Sequence, residues 1–492
     1  MYGGRGAPTR WFLALSKRLR AHGFAQMKTD VCMYSKLDSH GELSGTLVAH
    51  VGDLLFFGTP QSRTEAARAI QTFRTGDVET LTTKSPITFT GLTIEMDSPD
   101  SILLSQQTCA NDLPLMTISE YVRGSRIAND AGLKTIFKQG LGALIWLHQT
   151  RPDIGFAITS IATRIAEACE SPEKAMQLMN LYNKIVKFAQ NHQRGIRYSS
   201  FPLAKTDSRI QPSSLLNWKL FVFADAGFGT LVRNHIVESQ VVVLGDVISR
   251  DGTIERRGLL LDHRCAKIHR VCWPTVAAEA HAAVTAVDVA LWPQVLLTEI
   301  FTRKFDYKRL TPPKVFPLLN PFRESPSDSE VRKEALSRKI HALKASSHSA
   351  NPMLPDQQFF IQSTCSCCKV SMTLSTLSAN DLDSPERLVY DSIMMHQPAI
   401  LFHPMILTDC CSLYGAILRL KPKTVDRCTR ITLAFLRDAL GIVAFSYVDA
   451  TVNPGDVGAK RAGSLGVLDR FVKTGRTALS FMERKERMQE MS

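Results

Sequence analysis

The chain has 492 residues, enough for two or three domains with sizeable cores. Its 44% apolar and 21% charged residues are those of an ordinary globular protein, with no run of about 18 apolar residues to suggest a membrane span and no hydrophobic segment after Met1-Tyr2-Gly3-Gly4-Arg5 to suggest secretion. A net charge of +13 favours a polyanionic partner, most simply nucleic acid, although a generically basic surface fits the charge equally well.

Taken in chain order, Trp11–His22 has helical periodicity with a basic face (Lys17, Arg18, Arg20). Asp30–Lys36 and Gly45–Gly58 read as a strand pair, Ser62–Thr75 as an amphipathic helix and Pro86–Met96 as another strand. Residues 103–200 read as mostly helical, with i, i+3, i+4 spacing over Gly140–Gln149 and Asp153–Ala168 and a Ser-Pro start before Pro172–Gln190. Trp11, Trp146 and Trp273 read as core. A linker is expected near Phe201–Ser214.

Beyond it, Leu220–Ala224, Ser239–Leu244 and Leu259–Asp262 read as strands, and Thr275–Ile300 as a helix interrupted by Pro293. Residues 302–386 break the pattern with Thr311-Pro312-Pro313-Lys314, Ser325-Pro326-Ser327-Asp328-Ser329 and Ser346-Ser347-His348-Ser349, the composition of a disordered insertion. Ala399–Thr408 then reads as a strand, Ser412–Leu420 and Asp426–Leu440 as helices, and Ile442–Val448 as a last strand. Strands ahead of a helix, then alternating β and α, indicate an α/β layer fold.

Four carboxylates stand in contexts that suit metal binding. Asp225 ends an apolar strand, Glu279 lies in an Ala-rich helix, Asp409 follows Met405-Ile406-Leu407-Thr408, and Asp456 follows Asn453-Pro454-Gly455. Together they could hold two divalent cations at a phosphodiester; singly, each is an ordinary solvated acid. His263, Cys265, His269 and Cys272 do not have the spacing of a common zinc finger, and Cys365, Cys367 and Cys368 lie in the insertion. Arg264, Lys267 and Arg270 read instead as a basic edge for substrate phosphates. Cys410 and Cys411 read as small buried residues rather than nucleophiles. Eleven scattered cysteines without an export signal indicate reduced thiols in a cytoplasmic or nuclear protein.

Met1-Tyr2-Gly3-Gly4-Arg5-Gly6-Ala7-Pro8-Thr9-Arg10-Trp11, Gly23-Phe24, Asp30-Val31-Cys32-Met33-Tyr34, Gly91-Leu92-Thr93-Ile94, Gly142-Ala143-Leu144-Ile145-Trp146-Leu147 and Thr150-Arg151-Pro152-Asp153-Ile154 occur in this order. The order and the motifs resemble copia-type retrotransposon reverse transcriptases. Phe223-Ala224-Asp225-Ala226-Gly227, Ala278-Glu279-Ala280-His281, Leu407-Thr408-Asp409 and Asn453-Pro454-Gly455-Asp456 are similar to that family's ribonuclease H domain. The resemblance implies Asp225, Glu279, Asp409 and Asp456 as ligands of two Mg²⁺ or Mn²⁺ ions, with an RNA–DNA hybrid as substrate. One ion would activate water and the other would stabilise the leaving 3′ oxygen.

The same resemblance implies a truncated palm over 1–98, a helical thumb or connection over 99–205, and a ribonuclease H-like domain in two parts, 215–301 and 387–475, around the insertion. A charged tail is expected over 476–492. In the palm, His50-Val51-Gly52-Asp53 matches the metal-binding hairpin, but Gly52 replaces its first Asp and leaves Asp53 alone. The family's upstream palm strand, with its Asp, is expected to be missing unless a partner segment supplies it. Polymerase activity is therefore not expected. A non-catalytic nucleic-acid-binding module and a decayed element product are the alternatives to the nuclease.

Overall fold

The computed structural model describes residues 6–73, 76, 78–117, 131–199, 218–227, 231, 235–246, 255–269, 272, 275–302, 362–365, 370–373, 404–418, 427–440, 443–448, 450, 453–460, 468–469, 472–473 and 476–478. These residues have an α/β architecture of mixed helices and sheets. The first helix, α1 (Ala7–Ala21), has a proline in its first turn, where a missing N–H leaves no bond unmade. It packs on a four-stranded antiparallel sheet formed in sequence order by β1 (Ala25–Gln26), β2 (Met33–Leu37), β3 (Leu43–His50) and β4 (Asp53–Gly58). Helix α2 (Pro60–Ile70) follows, its N-terminus capped by Thr59, which accepts from the Ser62 N–H. Leu15, Leu19, Phe24, Tyr34, Leu47, Ala66 and Ala69 form the core between the layers. Ser16 turns inward from the otherwise basic helix segment to bond the Tyr34 hydroxyl at 2.6 Å.

The apolar run 45–58 folds back on itself at the expected hairpin. His50 faces Asp53 across a two-residue turn at Val51-Gly52, and Val51 takes a left-handed φ of 52°. Residues 86–96 likewise split, into β5 (Ile87–Phe89) and β6 (Leu92–Ser98), because Thr90 and Gly91 adopt φ values of 51° and 80°. Strand β7 (Ser101–Ser105) continues this second sheet. After α3 (Gln107–Asp112), α4 (Ala131–His148), α5 (Gly155–Arg164) and α6 (Pro172–Asn191), β8 (Gly195–Ser199) pairs with β7 and closes the sheet, so the region 103–200 is less purely helical than its periodicity suggests.

The Thr150–Ile154 motif is a buried clamp. Arg151, 2% exposed, holds both carboxylate oxygens of Asp153 at 2.9 Å and donates to the carbonyls of Ala189 and His192. Trp146 is 39% exposed and lies beside Gly91; it is not core. Trp11 is partly buried against the N-terminal core, and Trp273 lies outside the described residues.

The third sheet begins with an antiparallel meander, β9 (Trp218–Gly227), β10 (Val237–Asp246) and β11 (Glu255–Lys267). Helix α7 (Thr275–Thr302) follows. A hairpin, β12 (Gln362–Cys365) with β13 (Val370–Thr373), is the described part of the expected insertion. Then come β14 (Pro404–Thr408), α8 (Cys411–Leu418), α9 (Arg427–Ala439), β15 (Ala444–Tyr447), the short α10 (Asp456–Ala459) and β16 (Arg476–Ala478). The strand order is β15-β14-β9-β10-β11-β16, with β14 and β15 parallel to β9. Strand β16 places the start of the expected tail on the sheet edge, paired with Glu255–Arg257. The expected linker near 201–214 lies outside the described residues.

Side chains alternate across this sheet as the pleat requires. Leu220, Val222, Ala224 and Ile406 meet the helices, chiefly Ala280, Ala283, Ala286 and Val287 of α7 and Leu433 and Leu436 of α9. Phe221, Phe223, Val241 and Leu407 face the other way, onto Val457, Leu468 and Ile196 of β8. Pro293 does not interrupt α7, which runs on through buried Gln294, Val295 and Thr298. Burial on both sides of the proline outweighs its missing hydrogen bond and ring clash, together about 3 kcal/mol in a helix interior. Among the described residues, α7 is the one helix long and apolar enough to cross a membrane, and it packs on this sheet. Near its end Glu299 accepts from the backbone N–H of Lys28 at 2.6 Å and of Thr29 at 2.8 Å, tying α7 to the N-terminal sheet.

Candidate metal centre

Strands β9 and β14 run parallel with Ala224 in register with Thr408, so the next residues, Asp225 and Asp409, leave the same end of the sheet side by side. Such carboxyl ends of parallel strands are the usual place for a ligand. Glu279 reaches them from the early turns of α7 and accepts the backbone N–H of Ala226. Asp225, Glu279 and Asp409 each bring an oxygen to within 4.8 Å of the others. Asp225 is 0% exposed and Glu279 6%. Among the described residues, Asp225 Oδ2 and Glu279 Oε2 are buried without a hydrogen-bond partner. A buried carboxylate oxygen left bare is strongly unfavourable unless something charged or protic meets it.

Asp456 arrives from the opposite face of the sheet. Its helix α10 sits tightly on β10: a Cβ on Gly458 would lie 2.2 Å from Ser239 Oγ, and the Cys265 thiol donates to the Gly458 carbonyl at 2.8 Å. The preceding turn is held by buried Asn453, whose Oδ1 accepts from the Gly455 N–H at 3.0 Å and whose amide also bonds Asp409. Asp456 does not join the close group of three. It instead meets the Lys460 ammonium, which lies 3.3 Å from Asp225 Oδ1 and 3.9 Å from Asp409 Oδ2.

The crowding is visible in the acid–base chemistry. Burial, then the neighbouring Asp409 charge, pushes Asp225 up to about 7. Burial also raises Glu279 well above the usual carboxylate range, with Asp225 and Asp409 adding to it. Asp409 is raised by burial, against the pull of Lys460. Burial of the lysine opposes its own charge, but Asp225, Asp456 and Asp409 outweigh that and hold the ammonium protonated. Several hard oxygen donors with excess negative charge fit Mg²⁺ or Mn²⁺ rather than a soft metal.

No protein-family model matches this chain, and no curated protein does. The fold and the site therefore carry the functional argument. The other residues singled out from the sequence do not join the cluster. Asp53 is exposed at the start of β4, and among the described residues no metal-type grouping includes it. Gly52 faces open space, with nothing within 4 Å of a Cβ built there. Arg264, with a side chain 48% exposed, lies 3.8 Å from buried Glu238, and Lys267 contacts His235 at 3.1 Å. Arg270 lies outside the described residues. His263 donates to the His148 carbonyl at 2.7 Å and Cys265 is engaged with Gly458, so neither serves the imagined zinc site. Burial, then Glu279, pushes the Cys410 thiol up to about 12, which suits an inert residue beside the acids. Lys460 and Asn453 were not legible as site residues, although the Asp456-to-Lys460 spacing of one helical turn was an available signal.

Proposed function

We propose that the chain is related to copia-type reverse transcriptases and that its six-stranded sheet is a ribonuclease H-like nuclease, hydrolysing RNA paired with DNA. The observation that carries this reading is the convergence of Asp225, Glu279 and Asp409 from three separate elements, with two buried oxygens bare. The antiparallel meander continued by two parallel strands, with α7 and α9 on one face and the short α10 on the other, supports it as the layout expected of such a domain. So does the +13 charge, which favours a polyanionic substrate.

Bound Mg²⁺ or Mn²⁺ would activate a water and stabilise the leaving oxygen of the RNA strand. Asp225, shared between the close group and Lys460, would be the central ligand, with Glu279 and Asp409 completing one donor set and Asp456 contributing from the far side. Asn453 positions both Asp409 and the Asp456 turn. Arg264 and Lys267 lie on β11, two strands from Asp225, where a phosphate backbone crossing the sheet end would pass. The N-terminal hairpin presents the single carboxylate Asp53, too few ligands for nucleotidyl transfer. Gly52→Asp by itself is expected to give no primer extension, and detectable extension would overturn that assignment.

A non-catalytic nucleic-acid-binding module is favoured by one observation, the Lys460 ammonium already set against the acids. The two readings part in an assay of RNA cleavage in a hybrid with Mg²⁺ or Mn²⁺. The nuclease predicts cleavage by the wild type and loss of it in Asp225→Asn. Equal behaviour of the two proteins ends the nuclease reading.

A further inference from the structure

We infer that Lys460 is a built-in cation that one of the two divalent ions must displace. This rests on the metal-site reading above and concerns how the site fills.

The Lys460 Nζ contacts Asp456 and lies 3.3 Å from Asp225 Oδ1 and 3.9 Å from Asp409 Oδ2. A Mg²⁺ ion shared by Asp225 and Asp456 would bind their oxygens at about 2.0–2.1 Å. It would need the space that the ammonium fills, and two cations so close repel strongly where water is scarce. By contrast, Asp225 Oδ2 and Glu279 Oε2 have no partner among the described residues and need nothing moved. The acids therefore divide into an open set, Asp225, Glu279 and Asp409, and a set closed by lysine, Asp225 with Asp456. The first ion enters the open set. The second enters only as Lys460 swings out, and the 39% exposure of its side chain gives it a route to solvent.

The arrangement has two consequences. Without divalent ions, the ammonium offsets repulsion among four acids and keeps α10 docked. With them, it makes the second ion bind more weakly than its ligands alone would allow, so that turnover depends on metal concentration through a contact within the chain.

The test uses the full chain and Mn²⁺, with binding followed by titration calorimetry. Lys460→Met should bind the second Mn²⁺ about tenfold or more tighter than the wild type, with a smaller gain for the first, whose ligands Asp225 and Asp409 also lie near the ammonium. Lys460→Arg should stay close to the wild type. Asp225→Asn separates the two levels of the argument. If it binds Mn²⁺ as well as the wild type, the metal site itself is wrong. If Asp225→Asn loses binding while Lys460→Met and wild type have equal second affinities, the displacement is wrong and the metal site stands. A measurement on the wild type does not depend on any variant folding. Amine-directed labelling of Lys460, read by mass spectrometry, should rise when Mn²⁺ is added. Unchanged or reduced labelling overturns the displacement.

Discussion

Two places in this molecule present acidic residues at the end of a β-element, and they differ in how many elements supply them. At the carboxyl end of β9 and β14, acids from two strands and a helix meet in a buried space, with a fourth acid and a lysine from α10 closing it. At the turn between β3 and β4, one exposed Asp53 stands beside a glycine that faces open space. Burial is what separates them. It raises the energy of unpartnered charge in the first place and so creates a demand for a cation, whereas water satisfies the lone carboxylate in the second.

The largest expected effect breaks this contrast directly. Asp225→Asn should weaken Mn²⁺ binding by roughly 100-fold or more, by calorimetry, while Asp53→Asn leaves it unchanged. If the two substitutions act alike, burial is not what distinguishes the sites. Next in size are the glycines. Gly458→Ala drives a methyl to 2.2 Å from Ser239 Oγ and should lose about 1–3 kcal/mol in denaturant unfolding, with weaker metal binding as α10 shifts. Gly52→Ala should stay within about 0.5 kcal/mol of the wild type.

A third test concerns the joint between the helical region and the metal-bearing sheet. His148 and His263 pack edge to face at a centroid separation of 4.5 Å. Burial, then the other ring, holds His148 down at about 3, and burial lowers His263. A histidine held below its unfolded value contributes stability that is present above about pH 6.5 and lost as pH falls toward its folded value. Stability should therefore drop on going from pH 7 to pH 5, by on the order of 1 kcal/mol for His148, with His263 acting in the same direction. His148→Gln should flatten that slope in urea titrations; an unchanged slope would remove the pair as its source. The smallest effect is at the hairpin. Val51 is β-branched with φ at 52°, so Val51→Asn should raise stability by up to about 1 kcal/mol without touching metal binding.

Local signals were legible where the chemistry is local. The Ser-Pro start of α6, the strands at 220–224 and 239–244, and the apolar helix from Thr275 follow from caps and periodicity. The turn at Val51-Gly52 was legible through the hairpin motif, but the break at Thr90-Gly91 was missed, because Thr90 is not a turn residue by type. The pairing of β7 with β8 across the helical region was missed for a different reason: strands separated by long sequence carry no local mark of each other. The basic residues Arg264 and Lys267 looked free for phosphate, yet each has a protein neighbour, which only packing reveals.

By itself the sequence determined the α/β class, the four acids and the broken hairpin, since periodicity and residue type are properties of short segments. Tertiary structure alone decided that three of the acids converge while the fourth meets them through Lys460, and that Asp225 and Glu279 keep bare buried oxygens. Convergence is a matter of strand register and helix docking, and charge acquires its strength only where the fold has removed the water.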